Sequence, residues 1–317
     1  MSYLLLILGF VLLVKGADWF VDGSSSIAKK LNVSSIIIGL TIVAFGTSMP
    51  EAAVSVTAAI SGQNDIALGN IIGSNIFNLL MVGGLCSIIC PLTVDKGLLK
   101  KEYPLSVFAV ILLLGLVMVP WTSHVETLMV SRTDGLILLL FFIFFLVSTI
   151  YSATKQKKAN VQEESTGEKQ SWLKSIILSV VGVAGVVVGG DLVVDSAVEI
   201  ATQWGVSQAV IGLTIVAIGT SLPELVTSLV AAKKGERDLA VGNIVGSNIF
   251  NVFFILGASA AIHPIAVTSV VFTDMILLVA ISIYSYVLSC TGKIITRIEG
   301  VSMVAIYVAY MAYLLIR

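Results

Sequence analysis

Residues 46–51 read GTSMPE, and residues 219–224 read GTSLPE. Each hexapeptide interrupts a long apolar stretch; SSIIIGLTIVAF precedes the first and AAVSVTAAI follows it. A carboxylate in such surroundings is costly to bury and is functional by default. Thr47 and Glu51 are four residues apart and share a helix face. Ser48 adjoins them, and Ser55 extends the stripe. Asn70, Ser74 and Asn78 then form a second four-spaced polar stripe. The later copy offers Thr220, Ser221, Glu224 and Ser228, followed by Asn243, Ser247 and Asn251. Pro50 cannot donate to the carbonyl of Gly46, and its ring opens that turn. A backbone carbonyl near Ala44 to Gly46 is therefore expected to lack a helical partner.

The resulting inventory is all oxygen: two carboxylates, amide oxygens, hydroxyls and carbonyls. It suits a hard cation. Neither motif contains His or Cys, which argues against zinc or copper. Calcium takes about six to eight oxygens in irregular geometry. Two glutamates carry a formal charge of −2, which matches one divalent ion or two monovalent ones. Such an equality lets different ions neutralise one cage in turn. Blander roles stand beside this one. A lone membrane Ser or Thr usually bonds back to its own helix. Asn78 and Asn251 can act as interhelical glue, and Gly69/Gly73 and Gly242/Gly246 have small-residue packing spacing. Asp18, Asp22, Asp191 and Asp195 are expected near helix ends, in structural or gate-lining roles.

These residues need helices to carry them. Apolar residues make up 57% of the 317 and charged residues 12%, and the mean hydropathy is +1.04. A soluble chain requires more polar surface, so the fold class is all-α integral membrane. The net charge of −1 leaves no basic footprint for nucleic acid. Cys86, Cys90 and Cys290 lie in apolar runs and make no disulfide or zinc framework. The first apolar run lacks a basic leader and a small-residue cleavage site, so it reads as a spanning helix. Spans of roughly 20 residues are expected at about 3–22, 34–60, 67–90, 104–120, 134–152, 173–197, 207–232, 239–262, 269–290 and 298–316. The polar tract 153–172 reads as a solvated linker between two five-helix units, 1–152 and 173–317.

Adding 173 to any position from Gly16 to Asn78 lands on its counterpart between Gly189 and Asn251, without a gap. About 35 of the 63 paired residues are identical. An odd number of helices per unit makes the second enter the membrane from the opposite side. The expected plan is thus ten helices in two inverted five-helix repeats, which place a substrate site near the midplane. Lysine and arginine sort accordingly. Fifteen fall at the odd-numbered helix exits, from Lys29 and Lys30 to Lys293 and Arg297, while the other connections and the C-terminus hold only Arg132 and Arg317. The positive-inside rule then puts the central loop in the cytoplasm and both termini outside.

At the GTS(M/L)PE and GN(I/V)(I/V)GSNIFN pairs the chain resembles the cation/calcium exchanger superfamily, and most of all its prokaryotic sodium/calcium exchangers. The resemblance covers the whole ten-helix plan. It implies sodium/calcium antiport by alternating access across the cell membrane, with helices one and six sliding over a core of the other eight. It implies that Glu51 and Glu224 coordinate calcium and sodium, and that Thr47, Ser48, Thr220 and Ser221 complete the positions with carbonyls near Ala44 and Ala217. Ser74 and Ser247 would serve outer sodium sites. Some relatives carry Asp where this chain has Asn78 or Asn251, so the cage here lacks a third carboxylate. The expected partners are calcium, sodium and the lipid bilayer, with no nucleic acid, no cofactor and a functional monomer.

Rival readings are a proton-driven or other divalent exchanger of the same fold, since Glu51 and Glu224 are titratable. A channel needs a continuous pore, which occluded carboxylates oppose. An intramembrane protease needs paired Asp or a Ser with His, whereas the only histidines, His124 and His263, lie outside the motifs. The expected protein is therefore not an enzyme.

Overall fold

The computed structural model describes residues 1–118, 128–159, 171–206, 215 and 217–316. Helix α1 spans Ser2–Leu31. Helix α2 is a bent pair, Ser35–Thr47 and Met49–Ile60, turned by 51°. The helices α3, Asn64–Ile89, and α4, Lys96–Met118, follow. Helix α5 spans Arg132–Ala159 and α6 spans Trp172–Gln203. A short turn, Ala217–Gly219, precedes α7 at Leu222–Lys233. Helices α8, α9 and α10 are Arg237–Ile262, Ser269–Cys290 and Arg297–Ile316. Among the described residues, eight single helices are long and apolar enough to cross a membrane, and bent α2 is a ninth. Of the span expected at 207–232, residues 207–214 and 216 lie outside the described residues, as do 160–170 of the expected linker. The structure also carries α5 seven residues into the polar tract. Lys155, Gln156, Lys157, Lys158 and Ala159 are good helix formers, so polarity alone does not end the helix.

Burial separates centre from rim. The apolar windows of α3 and α8 are 78% and 94% buried, against 17% for α5 and α10. The two polar motif helices therefore form the core, and aliphatic helices surround them. Lipid replaces water around the rim, so exposed Leu4, Ile7, Leu140 and Ile143 need no polar cover.

Glycines decide how closely the helices approach. A Cβ at Gly16 would stand 2.6 Å from the Val186 nitrogen and 2.8 Å from the Gly182 oxygen. Gly9 lies against Gly189 and Val193, and Gly23 against Ser175 and Ser179. The contacts descend along α6 as they ascend along α1, so this counterpart pair is antiparallel. Gly242 and Gly246 meet Gly39 and Leu40 of α2 backbone to backbone, which makes them packing residues. By the shift of 173 most of the segment corresponding to this stretch of α2 falls within 207–214, outside the described residues.

Four short strands tie the halves together. β1, Leu92–Thr93, pairs antiparallel with β4, Ile294–Ile295. β2, Met129–Val130, pairs antiparallel with β3, Ile265–Ala266. Each sheet joins a connection from one half to a connection from the other.

Candidate cation site

Two devices bring the motif residues to the middle of the bundle. The first is the break before each proline. Ser48 and Ser221 have φ, ψ of −84°, 10° and −94°, 7°, outside the helical pattern, and each precedes a helix with Pro in its first turn. That placement suits proline, whose missing N–H is no loss there. The second device is a wide π turn, a local form often found at functional sites. Such turns occupy Gly39–Val43, Asn78–Val82 and Phe250–Leu256. They flank Ala44 and contain Asn78 and Asn251.

The two glutamates are fully buried, and their partners cross between halves. Ser48 Oγ donates to Glu224 Oε1 at 2.7 Å, and Ser221 Oγ donates to Glu51 Oε1 at 2.9 Å. Thr47 Oγ1 lies 3.2 Å from Asn243 Oδ1, and Thr220 Oγ1 lies 3.2 Å from Asn70 Oδ1. Asn70 Nδ2 reaches Ser55 at 2.9 Å, and Asn243 Nδ2 reaches Ser228 at 3.0 Å. Every contact in these pairs maps onto its partner by the shift of 173, so the site repeats the duplication in space.

Oxygens outnumber protons here. Thr47 Oγ1 has one proton but faces Val43 O at 3.1 Å, Ala44 O at 3.4 Å and Asn243 Oδ1. Glu51 Oε2, Glu224 Oε2, Ser74 Oγ and Asn78 Oδ1 are buried without any hydrogen-bond partner. So is Asn251 Oδ1. Buried carboxylates without compensation are strongly destabilising, and a cation among these atoms removes the penalty. Among the described residues no three His, Cys, Asp or Glu side chains gather around a metal position. Neutral oxygens must therefore complete any shell begun by Glu51 and Glu224.

The expectation of a freed carbonyl near Ala44 to Gly46 narrows to one residue, because the Ala44 oxygen keeps an ordinary helical partner. That oxygen accepts the N–H of Ser48 at 3.0 Å. The carbonyl that loses its amide partner to proline is that of Gly46. Ala44 keeps a second lone pair, so ligation through it still fits. Ala217 heads the turn Ala217–Gly219, and the Ser221 N–H bonds to Ile218 O at 3.1 Å instead. Ser247 Oγ lies 3.4 Å from Glu224 Oε1, and its counterpart Ser74 lies beside Glu51. Thr47, Ser48, Glu51, Ser221, Ser247 and Glu224 thus converge, with Thr220 half-buried beside Asn70.

Two residues escaped the four-residue spacing rule. Asn75 and Asn248 are buried beside Asn251. Asn251 Nδ2 donates to Asn75 Oδ1 at 3.0 Å, and Asn75 Nδ2 lies 3.5 Å from Asn248 O. Their signal was the exact repetition of GSNIFN, in which Asn75 follows Ser74 and lies off its stripe.

The family described as sodium/calcium exchanger protein matches residues 1–151 and 174–316. This chain belongs to that family. Among relatives of the exchanger, the sodium/calcium exchanger MaX1 of Methanosarcina acetivorans is 35% identical, over 99% of this chain and 98% of its own length. The inner membrane protein YrbG of Escherichia coli is 38% identical, over 82% of this chain and 79% of its own. The exchanger also superimposes on the solved structure of the sodium-calcium exchanger NCX_Mj soaked with 10 mM Na+ and 10 mM Sr2+, with a TM-score of 0.83 at 36% identity. That match covers 98% of this chain and 97% of the other. The exchanger is thus a multi-pass membrane transporter of cation/calcium antiport type.

Proposed function

We propose that this exchanger moves calcium against sodium by alternating access at one midplane cage. One observation carries the reading: Glu51 and Glu224, from the two repeats, are buried, bonded reciprocally to Ser221 and Ser48, and each keeps an unpartnered oxygen. Calcium would bind both carboxylates, with Thr47, Ser48, Thr220, Ser221 and the carbonyls of Ala44 and Ala217 completing its shell. Sodium ions would take the same oxygens in turn, with Ser74, Ser247, Asn78 and Asn251 as further ligands. The structures soaked with sodium and strontium concern a relative and support this assignment by analogy.

The ten-helix inverted repeat is part of the proposal. The antiparallel α1 and α6 support it, since they are counterparts under the shift. So does the grouping of connections. Lys234 after α7 meets Asp18 and Asp22 of α1 at 2.6 Å each, and Lys30 in the last turn of α1 reaches Ser175 of α6 at 2.7 Å. The strand β1 after α3 packs against α8. These basic connections share one end, which we assign to the cytoplasm. Asp65 in the first turn of α3 accepts from Thr268 after α8 at 3.0 Å, at what we assign as the outer end, with both termini outside. The units 1–152 and 173–317, the solvated linker, the cell membrane as location and action as a monomer complete the reading.

Protons are the alternative driving ion, because the same unpartnered carboxylate oxygens can hold them. The surplus of hydroxyl and amide oxygens favours sodium, since a proton needs no such shell. Calcium-45 uptake into proteoliposomes separates the two. An outward sodium gradient should drive uptake, and a pH gradient alone should not. Uptake driven only by pH would transfer the coupling to protons.

A further inference from the structure

An amide can bind a cation only through its oxygen, because its nitrogen end carries two N–H donors. An asparagine in a cation cage therefore needs something to hold its nitrogen away from the ion. Glu51 and Glu224 need no such device, since either carboxylate oxygen serves. Asn251 does need one. It is fully buried, it sits in the π turn Phe250–Leu256, and its Oδ1 has no protein partner.

We propose that Asn75 is a positioning residue of the ion site: its side-chain oxygen takes the Asn251 N–H2 group at 3.0 Å and so presents the Asn251 oxygen to the cation. Asn75 is itself oriented, because its Nδ2 faces the backbone carbonyl of Asn248 at 3.5 Å. The chain of contacts runs from a fixed carbonyl through Asn75 to Asn251. A flip of Asn251 would set its oxygen against the Asn75 oxygen, and a flip of Asn75 would set its oxygen against the Asn248 carbonyl. Both are lone-pair collisions in a buried site, where unpaired polar groups weigh most.

The counterpart arrangement is not made. Under the shift of 173, Asn78 corresponds to Asn251 and Asn248 to Asn75. Both polar atoms of the Asn78 side chain, and Asn248 Oδ1, lack partners. The positioning is thus one-sided, although the sequence motif is identical on both sides. The one-sidedness separates this proposal from a general packing role for the GSNIFN asparagines.

The inference rests on the cage being the ion site, so its test carries that control. Equilibrium calcium-45 binding would be measured on purified full-length protein for Asn75→Leu, Asn251→Leu, the double variant, Asn248→Leu and Glu51→Gln. Melting temperature, followed by tryptophan fluorescence, reports folding. We expect Asn75→Leu and Asn251→Leu each to weaken binding about tenfold, as for the loss of one hydrogen-bonding group at a charged site. The double variant should be no weaker than Asn251→Leu alone, because Asn75 acts through Asn251. Asn248→Leu should bind within about twofold of the parent on the same reasoning. Undiminished binding by Asn75→Leu, losses that multiply in the double variant, or an equal loss in Asn248→Leu would each overturn the proposal. Should Asn75→Leu fail to fold, Asn75→Ser makes the same comparison, because its hydroxyl is too short to replace the amide. Binding that survives Glu51→Gln overturns the site assignment itself, a result separate from any of these.

Discussion

At the scale of single residues, the candidate site leaves buried oxygens unpaired, and the proposed function uses them to hold a cation. Glu51 Oε1 accepts the Ser221 hydroxyl, Glu224 Oε1 accepts Ser48 and, at 3.4 Å, Ser247, and the second oxygen of each carboxylate is unpartnered. Removing one charge from a buried ion contact costs about 3–5 kcal/mol. Glu51→Gln and Glu224→Gln should therefore each weaken calcium binding by at least about a hundredfold, and transport assays should show near-complete loss. Ser48 and Ser221 stand in equivalent positions. A hydrogen bond to a charged group contributes about 1.5–3 kcal/mol, so Ser48→Ala and Ser221→Ala should each lower apparent affinity about tenfold or more. Their losses should match, and a large difference between them in a calcium titration would contradict the reciprocal geometry. Most of this set is visible in the sequence, because a carboxylate in an apolar run and four-residue stripes are local signals. Asn75 is not visible that way. Its role depends on a π turn around Asn251 and on a contact between halves 176 residues apart, and neither leaves a periodic trace.

At the scale of elements, prolines break the motif helices and glycines let the others cross. The break at Pro50 was legible because proline has one local consequence. So was the carbonyl it frees, that of Gly46, whereas Ala44 keeps its helical bond from the Ser48 N–H. The antiparallel α1 and α6 pack as a glycine-lined pair. Gly16→Leu places side-chain atoms where a Cβ alone would stand 2.6 Å from the Val186 nitrogen. Overpacking of this kind costs about 1–3 kcal/mol. We expect a lower melting temperature and much slower calcium uptake, with equilibrium binding in the remaining folded protein little changed. An uptake rate equal to the parent's would contradict a close α1–α6 crossing. The pairs from Lys234 to Asp18 and Asp22 are partly exposed, and such pairs contribute about 0.2–1 kcal/mol. Lys234→Met should therefore shift uptake rates only severalfold, most visibly at low ionic strength.

At the scale of the whole molecule, the apolar composition foretold an all-helical membrane fold, and up to nine of its spans lie among the described residues. A bilayer demands continuous helices, and in the proposed plan an odd helix count per unit inverts the second one. The strand pairs β1–β4 and β2–β3 were not foretold, since two-residue strands carry no pattern, and the length of α5 was hidden by the polar composition of its end. The plan predicts sidedness. In a background lacking Cys90 and Cys290, Lys233→Cys should react with a membrane-impermeant maleimide only in inside-out vesicles, and Gln63→Cys only in right-side-out cells. Labelling of both from one side would break the inverted arrangement. The central claim is that sodium and calcium use one cage. Its most direct test is equilibrium calcium-45 binding to the purified protein across a series of sodium concentrations at fixed pH. We predict that sodium raises the apparent calcium Kd without lowering the number of sites, and that Glu51→Gln abolishes the saturable binding. Sodium that lowers capacity at constant Kd, or that has no effect while protons displace calcium, would contradict a shared sodium/calcium cage.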